Sequence, residues 1–323
     1  MWAAIGGHRE VVELLVSKGA NVSLVDKYDI NILHSACIGG HVEVVKYVLS
    51  QNMLDINGRV RCERTPVLLA AENGKKDMVE FLVGKGANLK TLDGKDNNIL
   101  HCACRGGDIE LVKYILSLDM YNIDTEQSGL SAVMIAAKWG HKEVVELLVQ
   151  LGASLSKIAS SKDNILHLPC YRGHLDVMKY LLSLNVWDIN KKGWNFRTPV
   201  MTAAARGHKE VVELLVKHGA VLTFKERSGN NILYLASNSG NVDLVKYVIS
   251  LNAVDINSRG WRNKTALMEA GGKGFKAVVE LLVNHGADVS LKDEGGKNLR
   301  YYARGSREIM AYLKSLRNLK NLR

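Results

Sequence analysis

The chain repeats itself every 66–67 residues, and no other feature restricts its fold as severely. Met1, Leu68, Met134, Met201 and Met268 open near-copies of one phrase: MWAAIGGH, LLAAENGK, MIAAKWGH, MTAAARGH and MEAGGKGF. A second phrase is interleaved at the same step. Asn31, Asn98, Asn164, Asn231 and Asn298 open NILHSAC, NILHCAC, NILHLPC, NILYLAS and NLRYYAR. The half-steps are 33 or 34 residues. A period this short predicts stacked supersecondary units, each burying its flanks against its neighbours. Function is then to be sought on a long exposed surface.

One unit, Thr198 to Ala220, shows the plan. Thr198 stands as an N-cap whose hydroxyl accepts a first-turn N–H, and Pro199 takes the first helical position, where a missing N–H costs nothing. Met201, Ala203 and Ala204 give a short helix a narrow face, and Gly207 ends it. Val211, Val212, Leu214, Leu215 and Val216 recur at helical spacing, a second and more apolar helix, and Gly219 stops it. The NILH units replace threonine by asparagine, taken as an equivalent cap, and end in a Ser-Leu-Asn type loop. A-type units (TP…GHKEVVELLV..GA) therefore alternate with B-type units (NILH…LVKY.LSLN..DIN).

Residues 198–220 match the pattern of the ankyrin repeat family almost residue for residue, and the whole chain resembles it. The resemblance implies an all-α solenoid of stacked helix-turn-helix units with β-turn-like connecting loops. It implies one array over 1–323, with a partial first repeat at 1–25 and a degenerate capping repeat at 293–323. Two departures stand out. The family's TPLH is split, TP in A units and LH in B units. Pro169 sits inside a first helix, where it should remove a hydrogen bond and kink or tighten the turn. The chain opens mid-phrase at Met1, which reads as a fragment or as a start codon inside a longer repeat array.

Charge is uneven. The net charge is +10, yet residues 297–323 carry eight basic residues against Glu308 alone, so the body is nearly neutral. Arg307 to Arg323 reads as a final capping helix with a basic end; anionic lipid or nucleic-acid contact is the alternative. The five cysteines include Cys37, Cys104 and Cys170 in one repeated slot, a packing choice typical of free thiols in a reducing compartment. The cytoplasm is the expected location, with the nucleus as an alternative. No apolar run reaches the ~18 residues of a membrane span.

No catalytic constellation is present. Of the ten histidines, eight fall in two repeated slots and read as architecture. His101 with Cys102 and Cys104 is the one tight His/Cys cluster, and it lacks a second ligand pair at zinc spacing. HExxH, GxSxG and the phosphate-binding loop motif are missing. The expectation is a non-catalytic scaffold or adaptor without cofactor, metal or small-molecule substrate, acting as a monomer. The alternative is the recognition array of a larger signalling enzyme, channel or ubiquitin-ligase adaptor.

Resemblance to ankyrin proteins places binding on the concave side, made of the tips before each first helix and the ends of those helices. By position, the candidates are Trp139, Tyr171, Arg172, Trp194, Arg197, Arg206, Trp261, Arg262, Lys264 and Lys273. Trp, Tyr and Arg are the types enriched among interface residues worth ~2 kcal/mol or more. With little acid nearby in sequence, the expected partner is a protein or peptide, acidic or phosphorylated. The competing reading packs these rings under their own loops. Family resemblance also marks Asn57, Asn190 and Asn257, at the ends of the DIN loops, as candidates for hydroxylation.

Overall fold

A computed structural model describes residues 1–321, apart from the side chains of Gln127 and of residues 317–321. Contacts group the chain into two compact units, Met1–Ser160 and Ser161–Arg323. Each unit is a row of antiparallel helix pairs. Met1–Ser160 holds five, from Trp2–Ile5 with Arg9–Ser17 to Ala132–Trp139 with Lys142–Gln150. Ser161–Arg323 runs from His167–Cys170 with Leu175–Ser183 to Leu299–Tyr302 with Arg307–Asn321. Within the described residues the only strands are Glu126–Gln127 and Leu130–Ser131, a two-stranded hairpin at one tip. The all-α repeat fold is the expected one.

First helices are small-faced and buried nearly all round: Val67, Leu68, Ala70 and Ala71 are fully covered. Second helices are amphipathic. Val144, Val145 and Leu148 face inward, while Lys142 and Glu146 pair on the outside at 3.0 Å. The same i,i+4 pair recurs as Lys76–Glu80, Lys209–Glu213 and Lys276–Glu280, so the repeated acids of these helices are a solvated face. Gly107 shows why glycine separates the helices. Its φ is +81°, and a Cβ there would lie 2.1 Å from the His141 ring, whose Nε2 sits 2.8 Å from the Arg105 carbonyl.

The two caps differ, which corrects the expectation of equivalence. Asn31 Oδ1 accepts the N–H groups of Leu33 and His34, at 3.0 and 3.1 Å. Thr198 Oγ1 is buried without a hydrogen-bond partner, as are Thr65 Oγ1 and Ser131 Oγ; only Thr265 accepts a cap bond, from Met268 N–H at 3.3 Å. The hydroxyl is one bond shorter than the carboxamide. The slot three residues on is Met201 or Leu68, where B units place histidine. That pairing explains why TP and LH are split. Asn31, Asn98 and Asn164 hold His34, His101 and His167 through Nδ1 at 2.6–2.7 Å. The opposite nitrogens lie 3.0–3.1 Å from the carbonyls of Gly58, Thr125 and Arg197 in the next unit's loop. Each histidine is thus a staple between a B unit and the following A unit.

Burial pushes all three imidazoles below the usual range, the facing carbonyls offsetting part of the effect. The unfolded chain therefore binds more protons than the folded one as pH falls below 6.5. We predict a melting temperature lower at pH 5.5 than at pH 7.5, and a flatter dependence in His34→Gln/His101→Gln/His167→Gln. Equal or higher melting at pH 5.5 in the wild type would contradict this assignment.

Asn57, Asn190 and Asn257 accept the N–H groups of Asn88, Val221 and Asp288, all at 2.8 Å, so their carboxamides brace neighbouring loops. Pro169 shortens its first helix to His167–Cys170, with tight bonds from His167 N–H to Asn164 and Leu168 N–H to Ile165. Arg300 is exposed on the last pair, whereas Ile309 and Leu313 of the final helix are buried. Arg317, Leu319, Lys320, Leu322 and Arg323 of the basic end lie outside the described side chains. No described helix is long and apolar enough to cross a membrane.

Candidate recognition surface

The A-unit tips are built alike. In Arg61–Arg64, Trp194–Arg197 and Trp261–Lys264 both central residues have positive φ: Cys62 and Glu63 (67° and 57°), Asn195 and Phe196 (55° and 59°), Arg262 and Asn263 (51° and 57°). Two consecutive left-handed residues make a type I′ reversal, closed by Gly193 N–H to Arg197 C=O and Gly260 N–H to Lys264 C=O, both 2.8 Å. Left-handed backbone strains a β-substituted residue by ~1 kcal/mol or more, and Asn-Gly is the favoured filling. Phe196 is half exposed. Phe196→Gly is therefore expected to raise unfolding stability by about 1 kcal/mol, measured by urea titration; a loss would show that the ring packs usefully.

The reversal places its first and fourth residues side by side, and in two tips these are tryptophan and a cation. Arg197 lies 5.6 Å from the Trp194 ring centroid, and Lys264 5.1 Å from that of Trp261, with Arg262 at 4.6 Å. Arg206 lies 5.8 Å from the Tyr171 ring. In the other unit, Arg105 lies 5.0 Å from Trp139. Trp194 and Trp261 are 54% and 44% exposed, so these rings are not packed away under their loops. Arg172, Arg206, Arg262 and Lys273 are also exposed, and Lys264 is half-buried. Tyr171, Trp194 and Trp261 thus pair with candidate cations, and Trp139 with Arg105, the cations lying on ring faces.

The structure adds acids that the sequence reading missed. Glu226, 5% exposed, accepts from Arg197 Nε at 2.5 Å, Asn195 Nδ2 at 2.8 Å and Asn230 Nδ2 at 2.6 Å. Asp163 accepts Trp194 N–H at 2.8 Å and Tyr171 O–H at 2.9 Å, and burial beside that carboxylate pushes the phenol up. Glu269 accepts Tyr234 O–H at 2.7 Å and stands 4.0 Å from Lys264. Glu72 joins Arg64 and Arg105, at 3.0 and 2.8 Å. The premise of little acid nearby is therefore corrected: several of these cations are already paired. Glu269 occupies a slot filled by Leu69, Ile135 and Thr202 elsewhere, a departure from the repeat visible in sequence.

Two clefts open on this surface. One, of about 340 Å³, has Arg197, Asn230, Tyr234, Trp261, Lys264 and Glu269 in its lining. The other, of about 220 Å³, surrounds Trp139. Among the described residues no group of three His, Cys, Asp or Glu side chains is placed to hold a metal. Cys102 and Cys104 are buried, and burial raises both thiols far above their usual range.

Comparison with known proteins decides the family. A model of three ankyrin repeats matches residues 1–93, 67–159, 100–193 and 166–260, and a single-repeat model matches 262–294. The chain belongs to the ankyrin repeat family. It is 29% identical over 252 residues to an ankyrin repeat and KH domain-containing protein, mask-1, of Caenorhabditis elegans, covering 76% of this chain and 9% of that one. It is 27% identical over 334 residues to alpha-latroinsectotoxin-Lt1a of Latrodectus tredecimguttatus, covering 97% of this chain and 23% of that one. The solved ankyrin repeat domain of Bcl-3 superposes with a TM-score of 0.53 at 25% identity, over 67% of this chain and 97% of the domain. The chain thus spans under a quarter of the length of these two curated relatives. Ankyrin repeats are protein–protein interaction modules and a non-catalytic fold.

Proposed function

We propose that this ankyrin repeat chain is a non-catalytic recognition module, a scaffold or adaptor, that binds a partner protein or peptide segment across the tips and first-helix ends. The observation that carries the reading is the exposure of Trp194 and Trp261 on rigid reversals, each beside a cation. Half-exposed aromatics held by backbone hydrogen bonds lose little entropy on binding, which is what an interface anchor requires. Arg172, Arg206, Arg262 and Lys273 add positive charge that favours an acidic or phosphorylated segment. Four buried thiols and the absence of paired cysteines among the described residues fit a reducing compartment, cytoplasm or nucleus.

Site-specific photocrosslinking tests the location. A benzophenone side chain at Trp194, Trp261 or Lys273 should capture the partner from cell extract, and one at Lys46, Lys113 or Lys179 on second helices should not. Equal capture from both sets of positions would refute a tip-side interface.

A further inference from the structure

The 220 Å³ cleft of the Met1–Ser160 unit differs in chemistry from its counterpart two double repeats further on. Its lining comes from three places. Lys95 stands on the loop before helix Ile99–Gly106, Arg105 lies at the end of that helix, and Lys138 and Trp139 end helix Ala132–Trp139. Leu130, Ile135 and Cys102 supply an apolar wall beside the indole. Three cations line the cleft and no acid does. Of the nearby carboxylates, Glu72 pairs with Arg64 and with the cleft's own Arg105, and buried Asp93 accepts from Asn97 Nδ2 and loop N–H groups. Glu72 uses one of the five guanidinium N–H donors of Arg105, and holds that guanidinium over Trp139.

The matching slots around Trp261 read differently. Lys95 becomes Ser228, Arg105 becomes Asn238, Lys138 becomes Gly272, and Ile135 becomes Glu269. Leu130 in turn becomes Lys264, and Arg197 also lines that cleft, so cations line both; the Trp139 cleft is set apart by three cations with no acid in its lining. The volume lies below the ~300–1,000 Å³ of sites for drug-sized ligands, and suits a single side chain.

We propose that the Trp139 cleft is an anchor site for one anionic side chain, carboxylate or phosphoryl, of a protein segment lying on the tip surface. The apolar stem packs on Trp139 and Leu130, and the anion is met by Lys95, Arg105 and Lys138. Arginine and lysine together suit an oxyanion, the one by its planar fork and the other as a point charge. The proposal rests on the tip-side reading above, because an anchor needs a segment to carry it.

Titration of the ¹⁵N-labelled full chain with phenyl phosphate, and separately with N-acetylglutamate, at constant ionic strength tests it. The Trp139 indole N–H signal, assigned with Trp139→Phe, should move saturably with at least one of the two. Binding should weaken about tenfold in Lys95→Gln/Lys138→Gln, which removes two charged contacts from side chains that are not buried. The tighter of the two probes tells phosphoryl from carboxylate. No saturable movement with either, or undiminished binding in the double variant, overturns the anchor. Capture at Trp194 and Trp261 would survive that result, so failure of the cleft and failure of the tip-side interface are separable.

Discussion

Arg197→Ala should lower the unfolding free energy by about 3 kcal/mol, although arginine is a surface residue type. Its Nε donates to Glu226, whose side chain is only 3% exposed, while the arginine itself is 22% exposed. Removing the arginine leaves a buried carboxylate with two asparagine amides and no counter-charge. The usual cost of orphaning one member of a buried pair is ~3–5 kcal/mol, and the partial exposure of Arg197 puts this pair near the lower bound. The double substitution Arg197→Met/Glu226→Gln removes the charge problem and should recover more than half of the loss. Urea titration of the three proteins measures both numbers. A loss under about 0.5 kcal/mol for Arg197→Ala, the range of an ordinary surface substitution, would show that solvent already compensates Glu226. The result bears on function, because weakened binding by an Arg197 variant confounds recognition with folding. Arg206, Trp194 and Trp261 are better probes.

The second large effect contrasts two leucines in the same heptapeptide. EVVELLV occurs at 10–16, 143–149 and 210–216. Leu148 and Leu215 are fully buried, whereas Leu15 is 50% exposed, and Val144 and Val211 are buried where Val11 is 47% exposed. Leu148→Ala creates a cavity between packed pairs and should cost about 3 kcal/mol. Leu15→Ala removes a half-solvated side chain and should cost less than about 1 kcal/mol. Repeat arrays need not unfold in one step, so fluorescence and circular dichroism are to be followed together. Similar costs for the two leucines would mean that local sequence, and not position in the stack, sets stability.

Much of the fold was legible because the chain states one plan ten times. The Asn caps, the Gly207 and Gly219 stops and the apolar spacing of the second helices all reappear in the structure where their chemistry requires. The effect of Pro169 was also readable, since a missing N–H acts within one turn. What could not be read was pairing between units. Thr198 looks like a cap in sequence, but its hydroxyl is buried without a hydrogen-bond partner, whereas Thr265 in the same slot accepts from Met268 N–H. Glu226 lies 29 residues from Arg197, and only stacking brings them to 2.5 Å. The type I′ reversals are not legible because Asn195–Phe196 and Arg262–Asn263 lack the glycine that usually marks such turns. The Trp194–Arg197 and Trp261–Lys264 pairs follow from those reversals.

Recognition is held to reside in side chains that depart from the repeat on the tip side. The constant His, Cys and Glu positions are architecture. The most direct measurement is the affinity of a crosslinked and identified partner for three proteins of matched stability: wild type, Trp194→Ser/Arg206→Ser/Trp261→Ser, and a second-helix control, Lys46→Ser/Lys113→Ser/Lys179→Ser. Truncating three interface anchors at ~2 kcal/mol or more each should weaken binding at least a hundredfold in the tip variant, with the control within about twofold of wild type. A tip variant that binds like wild type, or a control that loses affinity as severely, would contradict it.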